Sequence, residues 1–353
     1  MGICGSTLAK EENITVSIPP TFRPPLTFGR DMSLNPADFK FVQRKEETCI
    51  KMPGDINKQQ FIIEDCSHCS IYLLDTTATI TVDSCDHCIL VLGPCASSVF
   101  LRNCTNCLVM IACQQFRARD CKNVDFFLFT NTQPIIESSS SLRFTCWTAS
   151  YSALFAQMTD SRLSIWNNLW DTIYDFTPSD SGKVHWTKFD AKKDDDANSW
   201  KTLSSAYKEL SDQDAQTLTD LGWSVKLTET VLPHSIGTTT KIETTSSQFI
   251  LFYNERNAEM QAERLWKYGK THRVFTLCRS KSLPLTADQC KTLTGVHQSS
   301  ELPFSIGWEV HGTDMKTVLD QIDLHNKEGI FLATNTEAVR CTKLYFEEWQ
   351  IEM

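Results

Sequence analysis

Phe61-Ile62-Ile63-Glu64-Asp65-Cys66, Ile80-Thr81-Val82-Asp83-Ser84-Cys85, Val99-Phe100-Leu101-Arg102-Asn103-Cys104 and Phe116-Arg117-Ala118-Arg119-Asp120-Cys121 are four versions of one hexapeptide, with their cysteines 19, 19 and 17 residues apart. Short apolar strands recurring at a period of about 20 residues, separated by polar corners, predict a β-solenoid in which each repeat is one coil stacked on the last. Strand side chains alternate between faces. The first column (Phe61, Ile80, Val99, Phe116) and the third (Ile63, Val82, Leu101, Ala118) are apolar and predicted to point inward. The second (Ile62, Thr81, Phe100, Arg117) and fourth (Glu64, Asp83, Arg102, Arg119) then face out, so Arg117 and Arg119 stand side by side on the outside of a stiff scaffold.

Around this repeat the chain runs to 353 residues, enough for roughly two to three domains. Its 34 basic and 43 acidic residues give a net charge of −9, and no basic tract offsets it, which argues against a nucleic-acid partner. No apolar run reaches the roughly 18 residues needed to cross a bilayer, and no secretory apolar segment follows Met1. Fifteen cysteines in such a chain predict free thiols in a reducing compartment.

Cys66/Cys69, Cys85/Cys88 and Cys104/Cys107 each form a C-x-x-C, a spacing that elsewhere marks structural zinc. Here each pair holds the same place in successive coils, and the next coil puts Val124 where the second cysteine belongs. Valine suits a buried ladder of small apolar side chains and cannot ligate a metal, so the ladder is preferred and no metal is expected. His68 and His87, inside these corners, read as solvated turn residues.

Met1-Gly2-Ile3-Cys4-Gly5-Ser6 fits the N-myristoylation pattern, with Gly2 as the acylated residue. One such chain binds membranes only marginally, so Cys4 is the candidate for a second, palmitoyl anchor. The proline-rich stretch that follows reads as a tether, giving a lipidated segment over 1–37. The solenoid domain is placed at 38–178, with Phe144, Trp147, Trp166 and Trp170 supplying a cap to its open end. Residues 179–247 turn polar and charged and read as a linker with weak helices. A second domain is placed at 248–353: strands at 249–253, 273–278, 304–310 and 329–333 alternate with helices at 257–266, 286–293 and 314–326. That order predicts a ferredoxin-like α/β sandwich.

Cys113-Gln114-Gln115-Phe116-Arg117-Ala118-Arg119-Asp120-Cys121, followed by Thr132-Gln133-Pro134-Ile135-Ile136-Glu137-Ser138-Ser139-Ser140, closely resembles the tubulin-folding cofactor C domain family. The resemblance covers about 38–178. It implies a right-handed parallel β-helix that activates GTP hydrolysis by an ADP-ribosylation-factor-like small G protein in its GTP form, without a catalytic activity of its own. It implies no cofactor held by this chain, since GTP and Mg belong to the G protein. Arg117 matches the arginine finger, with Gln115 beside it. Gln114, Gln115, Phe116 and Arg117, with Ser97 and Ser98 on a second turn, match positions that face the nucleotide in the complex. Ser97 stands where the family carries glycine. Arg119 and Glu137 match supporting positions on the partner surface, and Asn167, Asn168 and Asp175 fall in a stretch bordering it. The alternatives are an effector or scaffold that binds the G protein without speeding hydrolysis, and a tubulin-folding factor acting on tubulin's GTP. With the lipid motif, the resemblance implies membrane or ciliary trafficking at the cytoplasmic face of the plasma or ciliary membrane. The second domain resembles nucleoside diphosphate kinase, but His311, in Val310-His311-Gly312-Thr313-Asp314, ends a strand rather than occupying the kinase's histidine segment, and no kinase activity is expected.

The chemistry of an arginine at this place agrees with the resemblance. Phosphoryl transfer spreads negative charge over oxygens, and a permanently cationic planar guanidinium stabilises it from outside.

Overall fold

The computed structural model describes residues 31, 33–177, 183–189, 210–238, 247–254, 256–298, 300–312, 314–324 and 328–349. The repeat forms a parallel solenoid of six turns with left-handed corners, extended by one further strand on each face. One face stacks β1 (Lys40–Val42), β3 (Phe61–Glu64), β5 (Ile80–Asp83), the end of β6 (Ile89–Arg102), the end of β7 (Leu108–Arg119), β9 (Ile135–Glu137) and β11 (Tyr174–Asp175). A second face stacks β2 (Thr48–Lys51), β4 (Ser70–Leu73), the starts of β6 and β7, then β8 (Lys122–Thr130), β10 (Ser140–Cys146) and β12 (Trp186–Lys188). Phe61, Ile80, Val99 and Phe116 are Cα partners in one unbroken column and are fully buried, as the alternation predicted.

The chain passes from the first face to the second through two left-handed residues per turn. Gln43, Asp65, Ser84, Asn103, Asp120 and Ser138 form one column, and Glu46, His68, His87, Asn106, Asn123 and Ser141 the other, all with φ of 48–56°. None is β-branched, and Asn, Asp and His tolerate this conformation best among residues with a side chain. Their side chains link one coil to the next. Asn123 Nδ2 donates to Asn106 Oδ1 at 2.8 Å, and Asn106 Nδ2 to Asp86 Oδ1 at 3.0 Å. Asp86 also accepts from Thr105 Oγ1 and pairs with His87 Nδ1, and these two bonds hold its carboxyl down at about 2. His68 and His87 stack in parallel, ring centroids 4.9 Å apart. They are exposed corner residues.

Between the corners lie the cysteines, buried in two columns. Their thiols donate to backbone carbonyls, in some cases across coils: Cys88 Sγ to Cys66 O at 3.4 Å and Cys107 Sγ to Cys85 O at 3.6 Å. Val124 continues the second column and is as buried as the cysteines before it. The ladder is a packing device whose members are interchangeable with a hydrocarbon.

Outside the second face, Tyr72, Val91, Met110, Phe127 and Phe129 pack under Tyr151, helix α1 (Leu154–Asp160) and residues 210–232, which contain α2 (Asp212–Asp220). The stretch read as a polar linker is therefore partly a lid. Leu218 and Leu232 are buried, and Trp223 meets Tyr72 edge-on at 5.7 Å and stacks on Tyr151 at 6.4 Å. Leu210, Leu218, Leu221, Trp223, Val225 and Leu232 reach one groove, whereas Val231 stays exposed.

The C-terminal unit has an antiparallel four-stranded sheet in the order β14 (Phe275–Leu285), β15 (Leu302–Gly312), β13 (Ser247–Phe252), β16 (Ile330–Thr334). Helices α3 (Ala258–His272) and α5 (Met315–Gln321) pack on one face. Helices α4 (Ala287–Thr294) and α6 (Asn335–Lys343) pack on the other. The strand predicted at 273–278 runs on to Leu285 through two register shifts, and the helix predicted over 314–326 stops at Gln321. Trp166 does not cap the solenoid. It leaves the solenoid and packs on Trp308 at 5.5 Å in the second core, while Trp170 stays in the solenoid core and donates from Nε1 to Ser235 Oγ.

Cys85→Ala and Cys88→Ala are each expected to destabilise the solenoid by about 1–2 kcal/mol through lost packing. Melting temperatures of wild type and variants, measured with and without a chelator, should differ by variant and not by chelator.

Candidate functional site

Arg117 lies on the outer surface of the first face, on the fifth of its seven strands. Strand alternation sends Phe116 and Ala118 into the core and leaves Gln115, Arg117 and Arg119 exposed. In-register pairing then fixes their neighbours on both sides. Gln115 lies beside Ser98, Arg117 between Phe100 and Ile135, and Arg119 between Arg102 and Glu137. Each rung repeats at the spacing of hydrogen-bonded strands, about 4.8 Å, so these contacts are set by the backbone rather than by side-chain choice.

Strands β6 and β7 each bend from one face of the solenoid to the other, with register shifts at Leu92/Cys95 and Cys95/Ser98. Ser97 and Ser98 follow the bend in β6, and Gln114 and Gln115 occupy the equivalent place in β7. The carbonyl of Gln114 accepts from Thr132 Oγ1 at 2.8 Å and from Thr130 Oγ1 at 3.3 Å, which pins the bend three residues before Arg117. The structure thus brings together Ser97, Ser98, Gln114, Gln115, Arg117, Arg119 and Glu137; Phe116, expected to face the nucleotide, is instead buried beneath them, because strand alternation turns its ring into the core.

The electrostatics of the neighbouring cations differ. Arg102 is bound to Asp83 at 2.6 Å and lies over the Phe100 ring, and Arg119 Nε reaches Asp120 at 3.1 Å. Among the described residues the Arg117 side chain has no hydrogen-bond, ion-pair or ring partner, and neither has the Gln115 amide. A guanidinium that is exposed, uncommitted and mounted on a rigid rung is free to meet an anion brought by another molecule.

The apolar frame around it was not fully legible in the sequence. Phe100 was placed outward by alternation, but Tyr174 and Phe176 arrive from far along the chain. Their amides donate to Pro134 O and Ile136 O, both at 2.8 Å, adding β11 beside β9. Tyr174 is 48% and Phe176 57% exposed, and their rings meet edge-on at 4.5 Å. Asp175 between them accepts from the Thr177 amide and pairs with His185 Nδ1 at 2.8 Å. Partial burial would raise its carboxyl, but these bonds outweigh it and the net shift is downward. Asp175 therefore borders the surface as a fastening.

Asn167 and Asn168, expected beside the partner surface, are instead buried at 6% exposure. Asn167 Nδ2 donates to Asn131 O at 2.8 Å, and Asn131 Nδ2 returns a bond to Asn167 O at 2.6 Å. Asn168 Oδ1 accepts from the Thr130 and Trp170 amides. The two close the backbone of the last coil, where strand ladders end and amides would otherwise be buried unpaired. Gly2 and Cys4 lie outside the described residues.

Residues 58–176 match the family Tubulin binding cofactor C. The solenoid is thus a domain of that family. The chain is similar to Protein XRP2: 55% identical to the Mus musculus protein over 154 residues, 44% of each chain. It is 49% identical to Protein XRP2 of Danio rerio over 185 residues, 52% of this chain and 49% of that one. Tubulin-specific chaperone C of Mus musculus is 29% identical over 136 residues, 38% of this chain and 40% of that one. The matched region spans about half the length of the XRP2 proteins.

Asn168→Ala should lower unfolding stability by about 1–3 kcal/mol, because the Thr130 amide loses its buried acceptor. Arg117→Ala should change it by no more than about 0.5 kcal/mol. Chemical denaturation of both variants separates the structural asparagine from the exposed arginine.

Proposed function

We propose that the chain is a GTPase activator for an ADP-ribosylation-factor-like small G protein, supplying Arg117 in trans as an arginine finger. The observation that carries this reading is the uncommitted guanidinium of Arg117, held between Phe100 and Ile135 on an in-register rung, with Gln115 two residues away on the same surface. Charge that develops on the transferring phosphoryl oxygens would meet a cation that needs no reorganisation. Such a finger is worth roughly three to five powers of ten in rate, or about 4–7 kcal/mol. GTP and Mg are those of the G protein, and the chain contributes no independent catalysis. Ser97, Ser98, Gln114 and Gln115 would face the nucleotide, and Arg119, Glu137, Tyr174 and Phe176 would dock the protein around it. Similarity to Protein XRP2 supports the reading at the level of the domain.

The lipid motif at Gly2 and Cys4 adds a membrane address, with trafficking at the plasma or ciliary membrane as the proposed setting. For the second unit, the strand order β14-β15-β13-β16 with α3 and α5 on one face supports a ferredoxin-like arrangement like that of nucleoside diphosphate kinase. The right-handed winding of the solenoid rests on the family resemblance. Tubulin is the second reading, favoured by the 29% identity to Tubulin-specific chaperone C.

Single-turnover hydrolysis by GTP-loaded small G proteins, beside a titration with a non-hydrolysable analogue, tests the finger. Arg117→Ala should abolish stimulation while leaving affinity largely intact, and Arg117→Lys should rescue little, because an ammonium lacks the planar fork. Arg119→Ala and Glu137→Ala should weaken both binding and rate. Near-normal stimulation by Arg117→Ala would overturn the finger, binding by wild type without stimulation would leave only the scaffold reading, and stimulation confined to tubulin would favour the second.

A separate expectation concerns anchoring. Gly2→Ala should release the chain from membranes by removing the myristoyl chain and, with it, the membrane contact that palmitoylation of Cys4 requires. Membrane flotation of wild type and variant measures it, and equal flotation overturns it.

A further inference from the structure

The two edges of the C-terminal sheet are treated differently. A free strand edge exposes a row of amide and carbonyl groups, and soluble proteins blunt it with charge, proline, a bulge or a cover. The β14 edge is covered. The amides of Ile236 and Gly237 donate to Leu277 O and Cys278 O, both at 3.0 Å, and Asn168 bridges to Ser280, whose Oγ donates to Trp166 O at 2.6 Å. Only glycine fits at 237, with φ +76° and the Asp171 and Trp170 side chains 2.8 Å from where a Cβ would stand.

Among the described residues, the β16 edge has none of these devices. Among the described residues nothing pairs with its outer side. Its sequence, Ile330-Phe331-Leu332-Ala333-Thr334, holds no charge and no proline, and it pairs with β13 without a register shift. Ile330, Phe331 and Leu332 are only half-buried. Phe331 leans toward the α4 and α6 side, Ile330 and Leu332 toward the α3 and α5 side. Alongside runs a cleft of about 430 Å3, lined by Phe331 to Thr334, the end of α4 from Lys291 to Gly295, and Glu337 and Arg340 of α6.

The rim of the cleft has a charge to offer. Arg340 is tied to Glu337 at 2.6 Å and to Thr292 O at 2.9 Å. Lys291 is exposed, and among the described residues its side chain has no hydrogen-bond or ion-pair partner. With one anion against two cations, the rim is locally positive on a chain whose net charge is −9. Two copies paired β16 to β16 would set one positive rim against another, so the rim disfavours that pairing and suits an acidic segment of a different protein.

We propose that the open edge of β16 is a docking site for an extended peptide segment of a partner protein, apolar with an acidic residue, which adds to the sheet as a fifth strand. Backbone bonds to β16 would supply affinity. Alternate side chains would fill the cleft beside Phe331 and Leu293, and a carboxylate would meet Lys291.

Random short peptides displayed on phage are panned against the full chain. The enriched peptide is then synthesised and titrated, with amide hydrogen exchange followed at Ile330–Thr334. The expected result is an enriched sequence that alternates apolar residues, carries an acid, and slows exchange along β16. Lys291→Glu, an exposed change that leaves packing alone, should weaken it by about fivefold to tenfold. Phe331→Lys, which places a charge on the edge, should abolish binding, with its melting curve checking that the domain stays folded. Failure of any peptide to enrich, binding without protection of β16, or equal binding by Lys291→Glu overturns the proposal. So does a concentration-dependent dimer of the full chain that Phe331→Lys dissolves, since the occupant is then a second copy.

Discussion

Two columns of residues from Gln43 to Ser141 hold φ of 48–56°, and the stacking of the solenoid is registered on them. A left-handed residue costs an ordinary L-amino acid roughly 1–2 kcal/mol, less where a short polar side chain can bond locally. The structure offsets the cost by stacking the corners. Asn123, Asn106 and Asp86 bond to one another along the solenoid axis, and the cysteines just inside the corners bond to carbonyls of the coil before. Because each corner falls at the same place in its coil, every strand starts at the same height. A slip of one residue would send an entire inward column to solvent.

That constraint positions the outer surface. Arg117 is where it is because Phe116 and Ala118 must be inside, and its neighbours are Phe100 and Ile135 because the coils cannot shift. The same rigidity separates the cations by role. Arg102 and Arg119 each have a carboxylate within reach, whereas the positions flanking Arg117 are apolar. Apolar neighbours cannot neutralise the guanidinium, and they provide a surface that another protein could cover, excluding water from around the charge.

The second unit is fastened to the first through backbone pairing. Trp166 and Asn168 lie a few residues before Trp170, so one short segment serves both bodies: Trp166 enters the C-terminal core, Asn168 closes the last coil and bridges to β14, and Trp170 stays in the solenoid. Residues 236–237 complete the join from the other side of the chain. The cover over β14 is thus also the interface between the units, and β16 lies at the far edge of the sheet.

Composition, period and alternation determined the solenoid, the inward columns, the cysteine ladder and the outward arginines. These are local properties that repeat: one coil read correctly predicts the next, and Val124 in a cysteine column reports burial by itself. Element order likewise determined most of the second unit. Tertiary structure decided what non-local packing controls. Tyr174 and Phe176 reach the arginine's surface only because β11 adds beside β9. Asn167 and Asn168 leave the surface because buried amides at the end of a strand ladder require acceptors. Trp166 changes cores, and Leu218, Leu232 and Trp223 fold a stretch read as a polar linker onto the solenoid. None of these residues repeats, and each is placed by a partner dozens of positions away, so local spacing does not reveal where it packs.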